Sequence, residues 1–312
     1  MFKSSFIWLG LALCAGCASF NAPVADSSYR QVEASIPQWG AIVDLASGEQ
    51  IPATRLLNEL AAAQTVMVGE VHENPVHHLI EQWLAARLNE HRPQGAVVLE
   101  MLSSDQQRSV DEVKAWLAEG NQVRSKRLKH IMRWDQRWSW AQYGALVEAL
   151  MHAPAPLLAG NISASQRSDL MNSPPADAAV LFANPAVAAQ QRKQIVDMHC
   201  GQIDSARLDA MLAIQVARDQ RMARVLDSAP APRLLFAGTL HTLKSQGAPL
   251  YLKQGPTHAA LKVLVMGEQG QPVTHQDADY LWLLPAHDAT GTPLSGSAPS
   301  CGELSNTAGN GS

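Results

Sequence analysis

Cysteine is scarce in this chain. It has four cysteines among 312 residues, and two of them, Cys14 and Cys17, lie near the start. That leaves Cys200 and Cys301, too few for the disulfide framework that holds small secreted domains together. A Cys200–Cys301 bridge would be compatible with an oxidising compartment, but the sequence does not require it.

Charged residues are also sparse, and neither sign dominates. They make up 17% of the chain, with 24 Lys and Arg against 28 Asp and Glu, and a formal net charge of -4. A nucleic-acid groove needs a basic stripe or patch. We therefore expect no nucleic-acid partner.

The start of the chain lacks an apolar run long enough to span a bilayer. Residues 6–13 (FIWLGLAL) are apolar, whereas a membrane helix needs about 20 such residues. This run follows Lys3 and precedes Cys14-Ala15-Gly16-Cys17, a pattern that predicts a signal peptide. It resembles a bacterial lipobox, although Cys14 stands where leucine is usual.

The predicted organisation follows from that start. We expect a lipoprotein signal peptide over 1–16, lipidation at Cys17 and a tether over 17–39. Ala18 resembles an outer-membrane sorting signal, so the predicted location is the outer membrane, lipid-anchored. An ordinary cleaved secretory peptide is the alternative. One domain over 40–285 and a tail over 286–312, rich in small and polar residues, complete the chain.

Apolar runs alternate with helical periodicity across the domain. Asn74-Pro75 predicts a helix start, and Ser104 with Gln107 has the capping-box spacing. Residues 163–228 contain no strand pattern, and with 121–152 they predict a small helical subdomain. The fold class is α/β, a mostly parallel sheet flanked by helices on both faces. The predicted strands cover 65–69, 95–101, 155–161, 233–238, 259–267 and 278–284.

Two of these strands end in the same short motif, Gly69-Glu70-Val71-His72 and Gly238-Thr239-Leu240-His241. We expect glycine to let the chain turn sharply, so that each imidazole emerges at the carboxyl end of its strand. Ligand sites form at that end of open α/β sheets. His72 and His241 should therefore converge on one cleft.

Charged residues in otherwise apolar surroundings extend this candidate site. Glu70 and Glu100 end buried strands, where a carboxylate is either a helix-cap partner or a functional group. Helical spacing over 206–226 places Asp219 and Gln215 on the inward face, with Arg218 beside them. Buried Arg and Asp indicate either a structural ion pair or groups that line the cleft.

Two further patterns have a structural and a functional interpretation. His77 and His78, with Glu81 one turn after His77, are typical of a solvated helix face but could belong to the site. Residues 130–143 contain three Trp and end in Tyr143. Core packing explains such a run, and a flat aromatic ligand would also suit it.

Together these segments resemble the ChaN-type haem-binding lipoproteins, from a superfamily that includes the Tiki metalloproteases and erythromycin esterases. The likeness covers residues 40–285. One departure is GTLH, where relatives more often have a polar residue or glycine before the histidine. The segments, in order, are VGEVHENPVHH (68–78), VVLEML (97–102), the Trp-rich run (130–143), HCG (199–201), QVARDQRMA (215–223), FAGTLH (236–241) and ADYLW (278–282).

The resemblance implies outer-membrane attachment and a role in haem and iron acquisition, with a haem receptor as a further partner. It also implies two haems stacked face to face across a homodimer, with iron ligated by tyrosine. Tyr143 and Tyr251 are the candidate ligands, and His199 and Lys253 are candidates to bind the haem. Tyr29 lies in the tether, and Tyr280 begins a buried strand where core packing is expected.

A metal-dependent hydrolase is the alternative function. His72, His241 and Glu70 would hold a divalent metal ion, and a bound water would attack an amide or ester. Glu100 and either Arg218 or Asp219 would complete the polar wall as candidate catalytic groups.

Overall fold

An eight-stranded mixed sheet runs through the residues that the computed structural model describes, 39–253, 255, 260–268 and 272–285. The strand order is β2-β1-β8-β7-β3-β6-β4-β5. Strands β3 to β8 pair in parallel with one another, and β1 pairs antiparallel with both β8 and β2 at one end. The strands are β1 (Ala41–Asp44), β2 (Gln50–Ile51), β3 (Thr65–Glu70), β4 (Ala96–Ser103), β5 (Leu157–Asn161), β6 (Arg233–Gly238), β7 (Leu261–Glu268) and β8 (Tyr280–Leu284).

The signal peptide, Cys17, Tyr29, the tail over 286–312 and Cys301 lie outside the described residues. The predictions made for them therefore stay predictions. Within the described part of the chain, no helix is long and apolar enough to cross a membrane.

Helices cover both faces of the sheet. Every residue of β3 is buried, with Val66 and Val68 packing into one core and Met67 into another. Such a strand needs no polar alternation, because neither face meets water. The helices are α1 (Ala53–Ala61), α2 (Pro75–His91), α3 (Gln107–Ala118), α4 (Ser125–Ile131), α5 (Trp140–His152), α6 (Ala164–Asn172), α7 (Pro185–Met198), α8 (Ser205–Ser228) and α9 (Thr239–Thr242), with short 3-10 turns at Ser104–Gln106, Ala178–Leu181 and Ala248–Tyr251. The predicted α/β fold is confirmed.

The residues predicted to form one helical subdomain belong to two different cores. Leu128 and Leu146, from α4 and α5, pack into the core shared with α1 to α3. A separate apolar cluster joins the turn at Ala178–Leu181 to α7 and α8. Only the second segment therefore has a core of its own, which we call the helical lobe (residues 164–216).

Two local predictions differ from the structure. The hairpin of β1 and β2 went unpredicted, because strands of four and two residues contain too few positions to show alternation. The capping box lies one residue earlier than predicted, between Ser103 and Gln106. Gln107 instead reaches the outer strand, since its Oε1 accepts from Ala159 N at 2.6 Å and its Nε2 donates to the Leu157 carbonyl at 2.9 Å.

Candidate functional site

The glycines of the two repeated motifs allow close packing rather than a sharp turn. Gly69 lies inside β3, and a Cβ there would come within 2.3 Å of Thr242 Oγ1 and 3.0 Å of Thr239 Cα. Gly238 caps α9 with φ -55°, a conformation open to any residue. The predicted turn is therefore wrong. The absence of a side chain at Gly69 instead allows α9 to pack directly on β3. The two strands are paired in parallel, with Glu70 opposite Gly238.

Glu70, His72 and Tyr143 form the first part of the site. His72 Nδ1 donates to Glu70 Oε1 at 2.5 Å, and the Tyr143 hydroxyl donates to the same oxygen at 3.0 Å. Trp138 packs edge-on against the His72 ring, with ring centroids 4.8 Å apart. Strand β3 supplies the carboxylate, and α5 brings the phenol to it.

Burial and the charge of Glu70 together set the protonation of both partners. Burial acts to lower the pKa of His72, but the hydrogen bond and negative charge of Glu70 outweigh it and raise that pKa to about 9. Burial, followed by the charge of Glu70, raises the pKa of Tyr143 far above its ordinary value. At neutral pH, His72 is therefore a cation and Tyr143 a neutral hydrogen-bond donor.

Asp219, His241 and Glu100 form the second part. His241 Nδ1 donates to Asp219 Oδ1 at 2.6 Å, and its Nε2 lies 3.4 Å from Glu100 Oε1. Gly238 N donates to Glu100 Oε2 at 2.8 Å, so Glu100 also caps the start of α9. All three side chains are buried, and an imidazolium between two carboxylates offsets one of their two negative charges.

The pKa values in this second part follow from the same charges. Burial acts to raise the pKa of Glu100, but His241, His72 and Arg218 outweigh it and lower that pKa to about 2. Burial raises the pKa of Asp219 to about 6, although His241 opposes the change. Burial acts to lower the pKa of His241, but the nearby carboxylates of Glu100 and Asp219 outweigh it and raise that pKa.

The two parts meet at Gly238. A Cβ there would lie 2.9 Å from His72 Cε1 and 3.5 Å from Glu100 Oε2, so both side chains border the same glycine. The structure therefore brings the motif residues and the strand-end carboxylates together at the carboxyl end of the sheet. We call the set Glu70, His72, Glu100, Arg218, Asp219 and His241 the polar cluster.

His77, His78 and Glu81 are buried rather than solvated. His77 Nδ1 accepts from Val71 N at 2.8 Å, and burial lowers its pKa to about 3. His78 bridges Glu81 Oε2, at 2.9 Å, and the His72 carbonyl, at 3.0 Å. These residues hold the backbone around His72 in place. Their role could have been inferred from the short distance between Asn74-Pro75 and the preceding strand, which forces α2 to start against it.

The predicted metal ligands are not assembled into one site. Among the residues that the structure describes, no group of three or more His, Cys, Asp or Glu side chains is arranged to hold a metal ion. Glu70 is hydrogen-bonded to His72, whereas His241 is bound between Asp219 and Glu100. The set Glu70, His72 and His241 therefore divides between two hydrogen-bonded groups.

The candidate haem ligands differ sharply in accessibility. Tyr143 is 1% exposed and donates to Glu70, so the prediction of this residue as an accessible ligand is wrong. Tyr280 is equally buried and donates to Glu59, in keeping with the predicted core role. Tyr251 is half-buried beside the helical lobe, and its oxygen accepts a 3.3 Å hydrogen bond from Ala183 N.

The other residues predicted to bind haem lie at the surface. His199 is partly exposed at the end of α7, where its Nδ1 donates to the Ile195 carbonyl at 2.8 Å. Lys253 is exposed two residues after Tyr251. Cys200 is disulfide-bonded, and Cys301, the partner considered from the sequence, lies outside the described residues.

Comparison with known proteins identifies the family. The family model described as "Haem-binding uptake, Tiki superfamily, ChaN" matches residues 56–252, more than half of the chain. The protein belongs to this family. No curated protein matches it in sequence.

Solved structures share the fold. The structure of cofacial haem binding to ChaN of Campylobacter jejuni has a TM-score of 0.68 and 24% identity, covering 78% of this chain and 96% of that one. An erythromycin esterase in its open conformation has a TM-score of 0.45 and 12% identity, covering 78% of this chain and 81% of that one. The first shows that the fold is that of ChaN, and the second is too distant to support an inference.

Proposed function

We propose that this protein is a haem-binding lipoprotein of the outer membrane that takes part in haem and iron acquisition. Membership of the haem-binding uptake family is the observation that carries the proposal. The structurally similar Campylobacter jejuni protein binds haem cofacially, and we extend that arrangement to this chain as two haems at a homodimer interface. Cys17 is the proposed site of the lipid anchor, and a haem receptor is the proposed partner.

Tyr251 is the proposed iron ligand. A phenolate is a hard oxygen donor suited to ferric haem, and it must reach the metal without crossing the core. The hydroxyls of Tyr143 and Tyr280 already donate hydrogen bonds to the carboxylates of Glu70 and Glu59. Burial raises the pKa of Tyr251 only to about 12, and the hydrogen bond from Ala183 acts to lower it. Ferric iron can therefore displace this proton at lower cost than at the other two tyrosines.

The helical lobe offers an apolar surface next to Tyr251. Six large apolar side chains are exposed in the described residues, and four of them lie between positions 171 and 198. Such a surface would remove the apolar faces of two stacked haems from water. This burial favours association. His199 and Lys253 are the proposed partners of the propionates. The four exposed side chains are Met171 (42%), Val180 (75%), Leu181 (38%) and Met198 (59%).

A haem titration of three single variants tests the proposal. Tyr251→Phe should weaken haem binding by more than about tenfold and lose the ligand-dependent Soret shift, because the iron loses its oxygen donor. Tyr143→Phe and Tyr280→Phe are the matched controls and should bind haem as the wild type does. Normal binding by Tyr251→Phe, or loss only in Tyr143→Phe, would rule out the assignment.

Sedimentation of the same samples tests the dimer. The wild-type protein should shift from monomer to dimer as haem reaches saturation, and the Tyr251→Phe protein should remain a monomer. A wild-type monomer at saturating haem would contradict the homodimer while leaving single-haem binding intact.

A further inference from the structure

Arg218 is a largely buried cation that has no direct carboxylate partner among the described residues. Its Nη1 makes one long hydrogen bond, 3.3 Å to Gln215 Oε1, and its buried Nε makes none. A buried guanidinium normally satisfies its five donors on carboxylates or phosphates. Burial lowers the pKa of Arg218, because removing the guanidinium from water disfavours its charged form.

Two carboxylates and one cation act on Arg218 without bonding it directly. Glu100 and Asp219 attract it, while Arg137 lies near enough to repel it. Arg137 is itself neutralised by Asp135 and is exposed at the surface. A guanidinium that is not bonded to a carboxylate can bind a planar oxyanion through two parallel hydrogen bonds.

His72 adds a third donor to this region. Its Nδ1 is used by Glu70, but its Nε2 makes no hydrogen bond within the described residues, and a third of the side chain is exposed. The Nε2 atom would lie only 3.1 Å from a Cβ on Gly238, the glycine that also borders Glu100. Glu100 is thus close to both His72 and Arg218, and both cations stabilise its charge.

The same cluster limits the charge of the ligand. Glu70 Oε2, Glu100 Oε1 and Asp219 Oδ2 are buried oxygens without a hydrogen bond. They would repel a dianion such as phosphate, whereas one negative charge can be shared by Arg218 and His72. A planar carboxylate also matches the fork of a guanidinium.

We propose that the polar cluster binds the carboxylate of a small molecule between Arg218 and His72. This site is distinct from the tyrosine proposed to ligate iron. Two sources share the required chemistry, a free small carboxylic acid and a haem propionate that is not bound by His199 or Lys253.

Calorimetric titration of the haem-free protein with sodium propionate, benzoate and inorganic phosphate tests the site. The wild-type protein should bind a carboxylate saturably and phosphate more weakly. Arg218→Gln should weaken carboxylate binding by at least about tenfold, because a charge-assisted pair of hydrogen bonds is lost. Arg224→Gln, which changes an exposed arginine on the same helix, is the matched control and should leave binding unchanged.

Arg218→Lys guards against a folding defect, because it keeps the charge that Glu100 faces and loses only the planar fork. It should fold as the wild type does and bind carboxylate less tightly. Absence of saturable carboxylate binding in the wild-type protein, or equal binding by Arg218→Gln, would overturn the proposal.

Haem and its dimethyl ester distinguish the two sources. If Arg218→Gln weakens binding of haem but not of the ester, the propionate is the occupant. If it weakens propionate and benzoate binding while both haem forms bind as before, the occupant is a free carboxylic acid. Failure of the family function would appear separately, as loss of haem binding by the wild-type protein.

Discussion

His72 carries a positive charge at neutral pH because Glu70 lies 2.5 Å from its Nδ1. Burial alone would have made it neutral, as burial does at His77, whose pKa falls to about 3. Of two histidines five positions apart, one is therefore positively charged and the other neutral. The difference is that a carboxylate faces one ring and a backbone amide donates to the other.

Replacing the carboxylate should lower the pKa of His72 and favour its neutral form. Glu70→Gln removes the largest raising influence, so we expect the pKa of His72 to fall well below about 9, because only Glu100 and Glu73 then oppose burial. Titration of the His72 ring signals by NMR measures this change. Tyr143→Phe, which removes only the hydroxyl on the same carboxylate, should leave the pKa of His72 high.

The same pair should make stability depend on pH with a defined sign. The folded-state pKa of His72 is raised above its unfolded value of about 6.5, so its stabilising contribution is complete below that pH. It is lost as the pH rises through about 9. The melting temperature of the wild type should therefore approach that of Glu70→Gln over this interval. A difference independent of pH would contradict the ion pair.

Sequence reasoning located the polar cluster but not its pairing. His72, His241, Glu70 and Glu100 could be placed at one end of the sheet because each follows or ends a buried run. Their pairing depends on the order β3-β6-β4, which the sequence does not state. The sequence did not distinguish a core role from a ligand role for Tyr143, because an aromatic-rich run fits both a packed core and a ligand surface.

Strand β3 and helix α9 pack so closely that a methyl group at Gly69 has no space. A Cβ there meets Thr242 Oγ1 at 2.3 Å and the backbone of Thr239 at 3.0 Å. Gly69→Ala should therefore lower the free energy of unfolding by about 1–3 kcal/mol, measured by urea denaturation.

Shortening the opposing side chain should recover part of this loss. The double variant Gly69→Ala, Thr242→Ala relieves the contact with the hydroxyl but keeps the contact with Thr239, so the two changes should be non-additive. A Gly69→Ala protein as stable as the wild type would show that α9 does not rest on this strand. The sequence predicted a turn at this glycine, whereas its actual role, contact between a helix and a strand, depends on the three-dimensional packing.

The whole protein is proposed to reach its membrane through one residue. None of the described helices can span a bilayer, and Cys17 follows the lipobox-like Cys14-Ala15-Gly16. Cys17→Ser should move the protein from the detergent-extracted membrane fraction to the soluble fraction with an unchanged melting temperature. Mass spectrometry of the wild type should find a lipid-modified amino-terminal cysteine, and a soluble product cleaved elsewhere would contradict the anchor.

Gln107 hinders the outer strand from pairing with a strand of a neighbouring molecule. Strand β5 ends the sheet, and an outer strand with free amides and carbonyls invites pairing with another chain. The amide of Gln107 occupies one carbonyl and one N–H of this strand, as a further strand would, by bonding Leu157 and Ala159. At the opposite end, β2 is only two residues long and is followed by Pro52. Copies of this protein held close together are thereby hindered from edge-to-edge aggregation.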